Sequence, residues 1–133
     1  ASNNDLDMFD EMRDAAMLGK LAADDASAVA APSAVEIATA GSAGAIGIDS
    51  GRIEEGANAD IAVVGLDAEH LTPKHDLVSH LAYAAKGSDV RHTVCDGEVL
   101  MRDRELQTLD LDAVIEDANE RAAELFARAA DGE

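Results

Sequence analysis

The chain has 133 residues, the length of one ordinary domain, yet only three aromatic side chains, and its formal charge is −18 from 28 acidic and 10 basic residues. With no basic stripe to neutralise phosphates and little aromatic surface to stack bases, this composition argues against nucleic-acid binding, and its periodic 47% hydrophobic content argues against a disordered acidic tail. The lone Cys95 excludes an internal disulfide, and without a signal peptide or long apolar span the sequence predicts no membrane segment and a reducing cytoplasm.

In chain order, the first predicted element is a helix. Ser2, Asn3 and Asn4 can each accept a hydrogen bond from a free backbone N–H, and Asp5 and Asp7 suit the positive end of a helix dipole. Leu6, Phe9, Met12, Ala16, Met17 and Leu21 follow at helical spacing, which predicts a helix to about Lys20. The stretch "LAADDASAVAAP" reads as linker or weak helix, after which Pro32 and Ser33 open a second short helix. Gly41, Gly44 and Gly47 read as helix ends and turns.

The run "ADIAVVGL" is almost unbroken aliphatic sequence and predicts a strand covered on both sides. A short helix is expected over "DLVSHLAYAAKG", ending at Gly87. In "VRHTVCDGEVLMRD", Asp96-Gly97 is a favoured two-residue hairpin turn, and the simple register sets Val94 opposite Val99 and His92 opposite Met101. From near Asp110, the residues Leu111, Val114, Ile115, Ala118, Ala122, Leu125, Phe126 and Ala129 mark one stripe of a long amphipathic helix. Helix, helix, strands, helix is an α+β order with too few strands to close a barrel.

The charge points to a high-salt cytoplasm. At molar salt the Debye length falls to about 3 Å, so self-repulsion that would oppose compaction in dilute buffer is largely screened. A core of Ala, Val, Ile and Leu buries little area per residue, which predicts a surface covered by a partner.

By spacing alone the chain contains no catalytic constellation and no metal site. His70, His75 and His80 stand five apart, a spacing that turns helical neighbours to different faces, and Thr72-Pro73 interrupts any helix there. His92 alternates with Val90 and Val94 and reads as a packed strand histidine. Cys95, placed on the opposite strand face from His92, reads as a small core hydrophobe and not a nucleophile. Ser2 and Ser42 have no His and Asp partners, and "AGSAGAIG" lacks the Lys of a phosphate loop. Asp24-Asp25 and Glu54-Glu55 read as solvated surface.

Four segments resemble, in order, the C-terminal part of the amidohydrolase superfamily: "ASNNDLDMFDEMRDAAMLGK", "EIATAGSAGAIGID", "GRIEEGANADIAVVGLD" and "HLTPKHDLVSHLAYAAKGSDVRHTVCDGEVLMRD". The first and last are similar to the branch of methylthioadenosine/adenosylhomocysteine deaminases and the chlorohydrolases of triazines and ethylammeline. The resemblance implies an α+β fragment. Residues 1–48 would be the last helices of a (β/α)8 barrel, 49–108 strands of a composite β-sandwich with an inserted helix, and 109–133 a helix packing back on the barrel. It also implies hydrolysis of a C–N or C–Cl bond on a nucleoside-like or triazine-like ring, with zinc or another divalent metal held by residues upstream and none bound by this chain. Ser2, Asn3 and Asn4 would then lie near the active-site mouth, and the partner would be the N-terminal barrel portion or an oligomeric neighbour. The residues leave two alternatives open: a non-enzymatic assembly domain, and a separate subunit that completes a barrel on another chain.

Overall fold

Helix α1 (Met8–Ala23) begins where the Asp7 carboxylate turns back onto the free Phe9 N–H at 2.9 Å, with Asp10 and Glu11 in its first turn. The computed structural model describes residues 6–131. The starting role expected of Ser2, Asn3 and Asn4 therefore falls to Asp7, and those three residues lie outside the described ones. The helix also runs past Lys20, because Leu21, Ala22 and Ala23 are good helix formers, and it stops at Asp24 in a left-handed conformation with φ 49°. The Asp24 and Asp25 N–H groups close its end on Leu21 and Lys20 carbonyls.

Helix α2 (Ala31–Glu36) carries Pro32 in its first turn and passes without a break into a π-helical turn (Ile37–Gly41) and then α3 (Ser42–Ile46). Gly41 and Gly44 thus lie inside helix, contrary to the sequence expectation, and only Gly47, at φ 77°, ends it. Two hydroxyls bond back to helical carbonyls at the wide turn, a contact that tends to bend a helix: Thr39 donates to the Val35 carbonyl at 2.7 Å and Ser42 to the Ile37 carbonyl at 2.6 Å. Gly51 lies against it so closely that a Cβ there would fall 2.6 Å from Ala40 N and from Thr39 C.

Helix α4 (Leu77–Tyr83) is capped by Asp76, which accepts the Val78 N–H at 3.1 Å and the Ser79 N–H at 3.2 Å. It ends at Tyr83, earlier than Gly87, which instead opens a 3-10 turn (Gly87–Asp89). Helices α1, α2 and α4 pack around Met12, Ala16, Ala31, Ala34 and Ala82. Among the described residues, six of the eight buried hydrophobic side chains are alanines. Small side chains let the helices approach closely, but each buries far less than a leucine, whose full burial contributes roughly 1.5–3 kcal/mol. The larger apolar groups stay outside: Leu18 is 64% exposed and Leu21 77%.

The sheet is antiparallel in the order β1 (Ile61–Val64), β2 (Val90–Cys95), β3 (Glu98–Arg102), β4 (Glu105–Leu106). Asp96 and Gly97, both at positive φ, form the expected hairpin turn. Val94 pairs with Val99, but an irregularity then leaves Leu100 extra on β3, so Met101 meets Thr93 and not His92. A second one leaves Arg91 extra on β2 between its pairings with β1. Strand β1 lies at one edge with Ala62 and Val63 exposed, so the double cover expected of it is not present among the described residues. Helix α5 (Leu111–Asp131) starts with the Ala113 N–H donating to Asp110 at 3.1 Å, and its residues 111–130 are exposed, the stripe of Leu111, Val114, Ile115, Leu125 and Phe126 included.

Candidate functional site

The histidines fall into separate surroundings. His70 Nε2 lies 2.8 Å from Asp89 Oδ2, which also accepts the Lys86 N–H at 2.9 Å. The Asp89 side chain is only 8% exposed, and burial pushes its carboxyl up; the His70 and Lys86 hydrogen bonds and the charges of both residues outweigh this and hold it below the usual aspartate range. His75 and His80 do come together, with rings edge to face and centroids 5.5 Å apart. Only His80 is helical, so the argument from five-residue spacing does not apply to the pair. Both imidazoles sit near the Pro73 carbonyl, at 3.2 and 3.1 Å. His92 accepts the Asp103 N–H at 3.2 Å through Nδ1, a half-buried strand histidine as expected.

Cys95 is exposed at the hairpin tip, not packed in a core, because β2 ends there beside Asp60. The negative charge of Asp60 is the largest of the effects that raise its thiol. Asp60 itself accepts the Ser50 hydroxyl at 2.6 Å and the Asp96 N–H at 2.7 Å, which lower its carboxyl. This carboxylate ties the loop ahead of β1 to the tip of the β2–β3 hairpin. The sequence places Asp7 at the start of a helix, as the structure does, but gives no role to Asp60 or Asp89. For Asp60 the available signal was its place in "GRIEEGANAD", just ahead of a strand run.

The described residues border concavities on more than one face. A groove of about 510 Å³ runs between α1 and the sheet, lined by apolar groups that include Phe9, Met12, Ile53, Ile61 and Leu81, with Arg52 and Asp60 at its polar margin. A smaller one of about 240 Å³ is bordered by Asp67, Asp89, Arg91, Asp103 and Arg104. Its cations are engaged: Arg91 donates to Asp67 at 3.0 Å and Arg104 to the Ser88 carbonyl. Among the described residues no group of three or more His, Cys, Asp or Glu side chains is arranged to hold a metal. No described helix is long and apolar enough to cross a membrane. Ser2, Asn3 and Asn4, the residues expected near an active-site mouth, lie outside the described residues.

An alanine-packed helical layer beside a four-stranded antiparallel sheet, with large apolar residues left outward, gives an α+β unit whose polar groups serve mainly to join its segments. The chain belongs to the amidohydrolase family, whose model matches residues 1–100. It is 73% identical, over 98% of its length, to a 5-methylthioadenosine/S-adenosylhomocysteine deaminase of Haloarcula marismortui, and 45% identical, over 96%, to a 5'-deoxyadenosine deaminase of Methanosarcina mazei. It spans 30% of the length of each relative. Among solved structures, an adenosine deaminase from Xanthomonas campestris with bound zinc matches with a TM-score of 0.91 and 39% identity, covering 96% of this chain and 29% of that one. An atrazine chlorohydrolase from Arthrobacter aurescens TC1 complexed with zinc matches with a TM-score of 0.74 and 27% identity, covering 84% of this chain and 25% of that one.

Proposed function

We propose that this chain is the C-terminal part of a metal-dependent amidohydrolase that removes the amino group of an adenine nucleoside. One observation carries the reading: 73% identity sustained over 98% of the chain to a deaminase of methylthioadenosine and adenosylhomocysteine, against 27% to the atrazine chlorohydrolase. In such a deamination, water adds to the ring carbon bearing the amino group and ammonia leaves, so that the adenine becomes hypoxanthine.

The described residues do not fit a metal site, and no step is assigned to them through one. The zinc of the neighbouring structures would be held by other parts of the complete polypeptide. In this reading residues 1–48 are the last helices of the barrel, 49–108 belong to a small β-sandwich, and 109–133 pack back on the barrel. Ser2, Asn3 and Asn4 then stand near its mouth. Supporting it is the apolar surface left open on α1 and α5, at Leu18, Leu21, Leu125 and Phe126, which a neighbouring layer would cover. The charge of −18 and the kinship with a Haloarcula protein support a high-salt cytoplasm as its setting.

The test is a substrate comparison with the complete polypeptide in molar salt. Methylthioadenosine, adenosylhomocysteine, 5'-deoxyadenosine and a chlorotriazine are offered separately, with ammonia and chloride release measured. Ammonia from at least one nucleoside without chloride from the triazine supports the reading. Chloride release with no ammonia from any nucleoside overturns it.

A further inference from the structure

The two carboxylate oxygens of Asp7 serve different parts of the chain. Oδ1 accepts the Phe9 N–H at 2.9 Å and starts α1, while Oδ2 accepts the Gly87 N–H at 2.7 Å, 80 residues away in the connection between α4 and β2. Gly87 is suited to this contact by its size. Its φ lies outside the left-handed range, so no backbone requirement selects glycine, yet a Cβ there would stand 3.1–3.2 Å from Asp7 Oδ2, Cγ and Oδ1. Asp7 and Gly87 therefore form a matched pair, a short two-pronged acceptor and a residue without a side chain to obstruct it. Backbone N–H groups donated to a carboxylate make charge-assisted bonds, stronger and more directional than neutral ones.

A second link joins the other end of α1 to α4. The Lys20 ammonium donates to the Tyr83 hydroxyl at 3.0 Å and to the Val29 carbonyl at 2.7 Å. Helix α1 is thus fastened at both ends, and the fastening at its start is the one that sets where the chain enters the helix. We propose that Asp7 is a positioning residue: held between Phe9 and Gly87, it fixes the start of α1 against the connection between α4 and β2. This rests on the reading above, in which α1 is one of the last helices of the barrel and starts beside the mouth of the active site.

The experiment uses the complete polypeptide with Asp7→Asn, Asp7→Ala, Gly87→Ala, the Asp7→Ala/Gly87→Ala double variant and, as a control at the other end of α1, Lys20→Met. An Asn amide can accept one of the two N–H groups but presents an N–H to the other. Asp7→Asn is expected to lower kcat about tenfold with KM within about twofold, since misplacement of a reacting group affects turnover more than binding. The Gly87 amide should exchange its hydrogen about tenfold faster in that variant. Gly87→Ala should add no further loss once Asp7 is Ala, because the crowding acts through the carboxylate. Lys20→Met should lower the melting temperature and leave kcat unchanged. The proposal is overturned if Asp7→Asn leaves kcat intact, or if Lys20→Met lowers kcat as much. Should the unaltered enzyme deaminate no nucleoside, the substrate reading fails, and an unchanged Gly87 exchange rate in Asp7→Asn would overturn the Asp7 pairing separately.

Discussion

The Ser50 hydroxyl donates to Asp60 Oδ2 at 2.6 Å, and Ser50 is only 5% exposed, a buried polar side chain satisfied by an aspartate ten residues along. The other Asp60 oxygen takes the Asp96 N–H at 2.7 Å, so one carboxylate joins a loop, an edge strand and a hairpin tip. Ser50→Ala removes one of these bonds without leaving a buried group unpaired, and should destabilise by about 1 kcal/mol. Asp60→Ala leaves the buried hydroxyl and the Asp96 N–H without their acceptor and should destabilise more. Denaturant midpoints in molar salt check this order; equal midpoints for the two variants would contradict it.

Acid should weaken the fold in a defined window. Asp60 is lowered first by the Ser50 hydroxyl, Asp76 first by the Ser79 hydroxyl, and Asp89 by hydrogen bonds and charges that outweigh its burial. Carboxyls depressed in the folded state contribute stability in full above their unfolded pKa, about 3.9, and lose it as pH falls through their folded values. The denaturation midpoint should therefore be level through neutral pH and drop below about pH 4. Asp60→Asn should flatten part of that drop, and an unchanged acid profile in this variant would exclude Asp60 as a contributor.

The Cys95 thiol should alkylate slowly despite its exposure. Only the thiolate reacts, and the Asp60 charge, the largest cause, together with Asp96 and Glu98 raises the pH at which it forms. The rate of reaction with iodoacetamide should climb at higher pH than for a free cysteine peptide, and Asp60→Asn should shift that climb downward.

Gly51 at φ 86° combines a left-handed backbone with contact against the π-helical turn. Gly51→Ala should cost roughly 1–3 kcal/mol, since the added Cβ meets backbone atoms that cannot rotate aside. Gly56, also at positive φ but with nothing near its Cβ position, isolates the conformational part of that cost. Thermal melts of Gly51→Ala and Gly56→Ala should show the former lower.

What could be read from the sequence was what local chemistry decides. Asp96-Gly97 specifies its turn through two positive-φ positions, and the α5 stripe needs only a period of 3.6 residues. The displaced pairing of Met101 with Thr93 could not be read, because a bulge is settled by how whole strands fit. Strand β4 was missed for a related reason: its turn, Asp103-Arg104, holds two positive-φ residues without a glycine to announce them. Gly41 looked like a helix end but lies inside one, where the chain widens into a π turn against which Gly51 packs. Cys95 looked like core because a strand residue beside valines usually is, whereas its place at a hairpin tip sets it in solvent next to Asp60. The carboxylates of Asp60 and Asp89, and the second link that Asp7 makes to Gly87, were hidden among 28 acidic residues, since only tertiary structure distinguishes a clamp from a solvated charge.

The most direct test of the central claim is a paired assay of ammonia release from methylthioadenosine and adenosylhomocysteine, with the complete polypeptide and with residues 1–133 alone at equal concentration in molar salt. The account predicts ammonia from the complete polypeptide and none above background from residues 1–133. Release by residues 1–133 alone, or none by the complete polypeptide with either nucleoside, would contradict it.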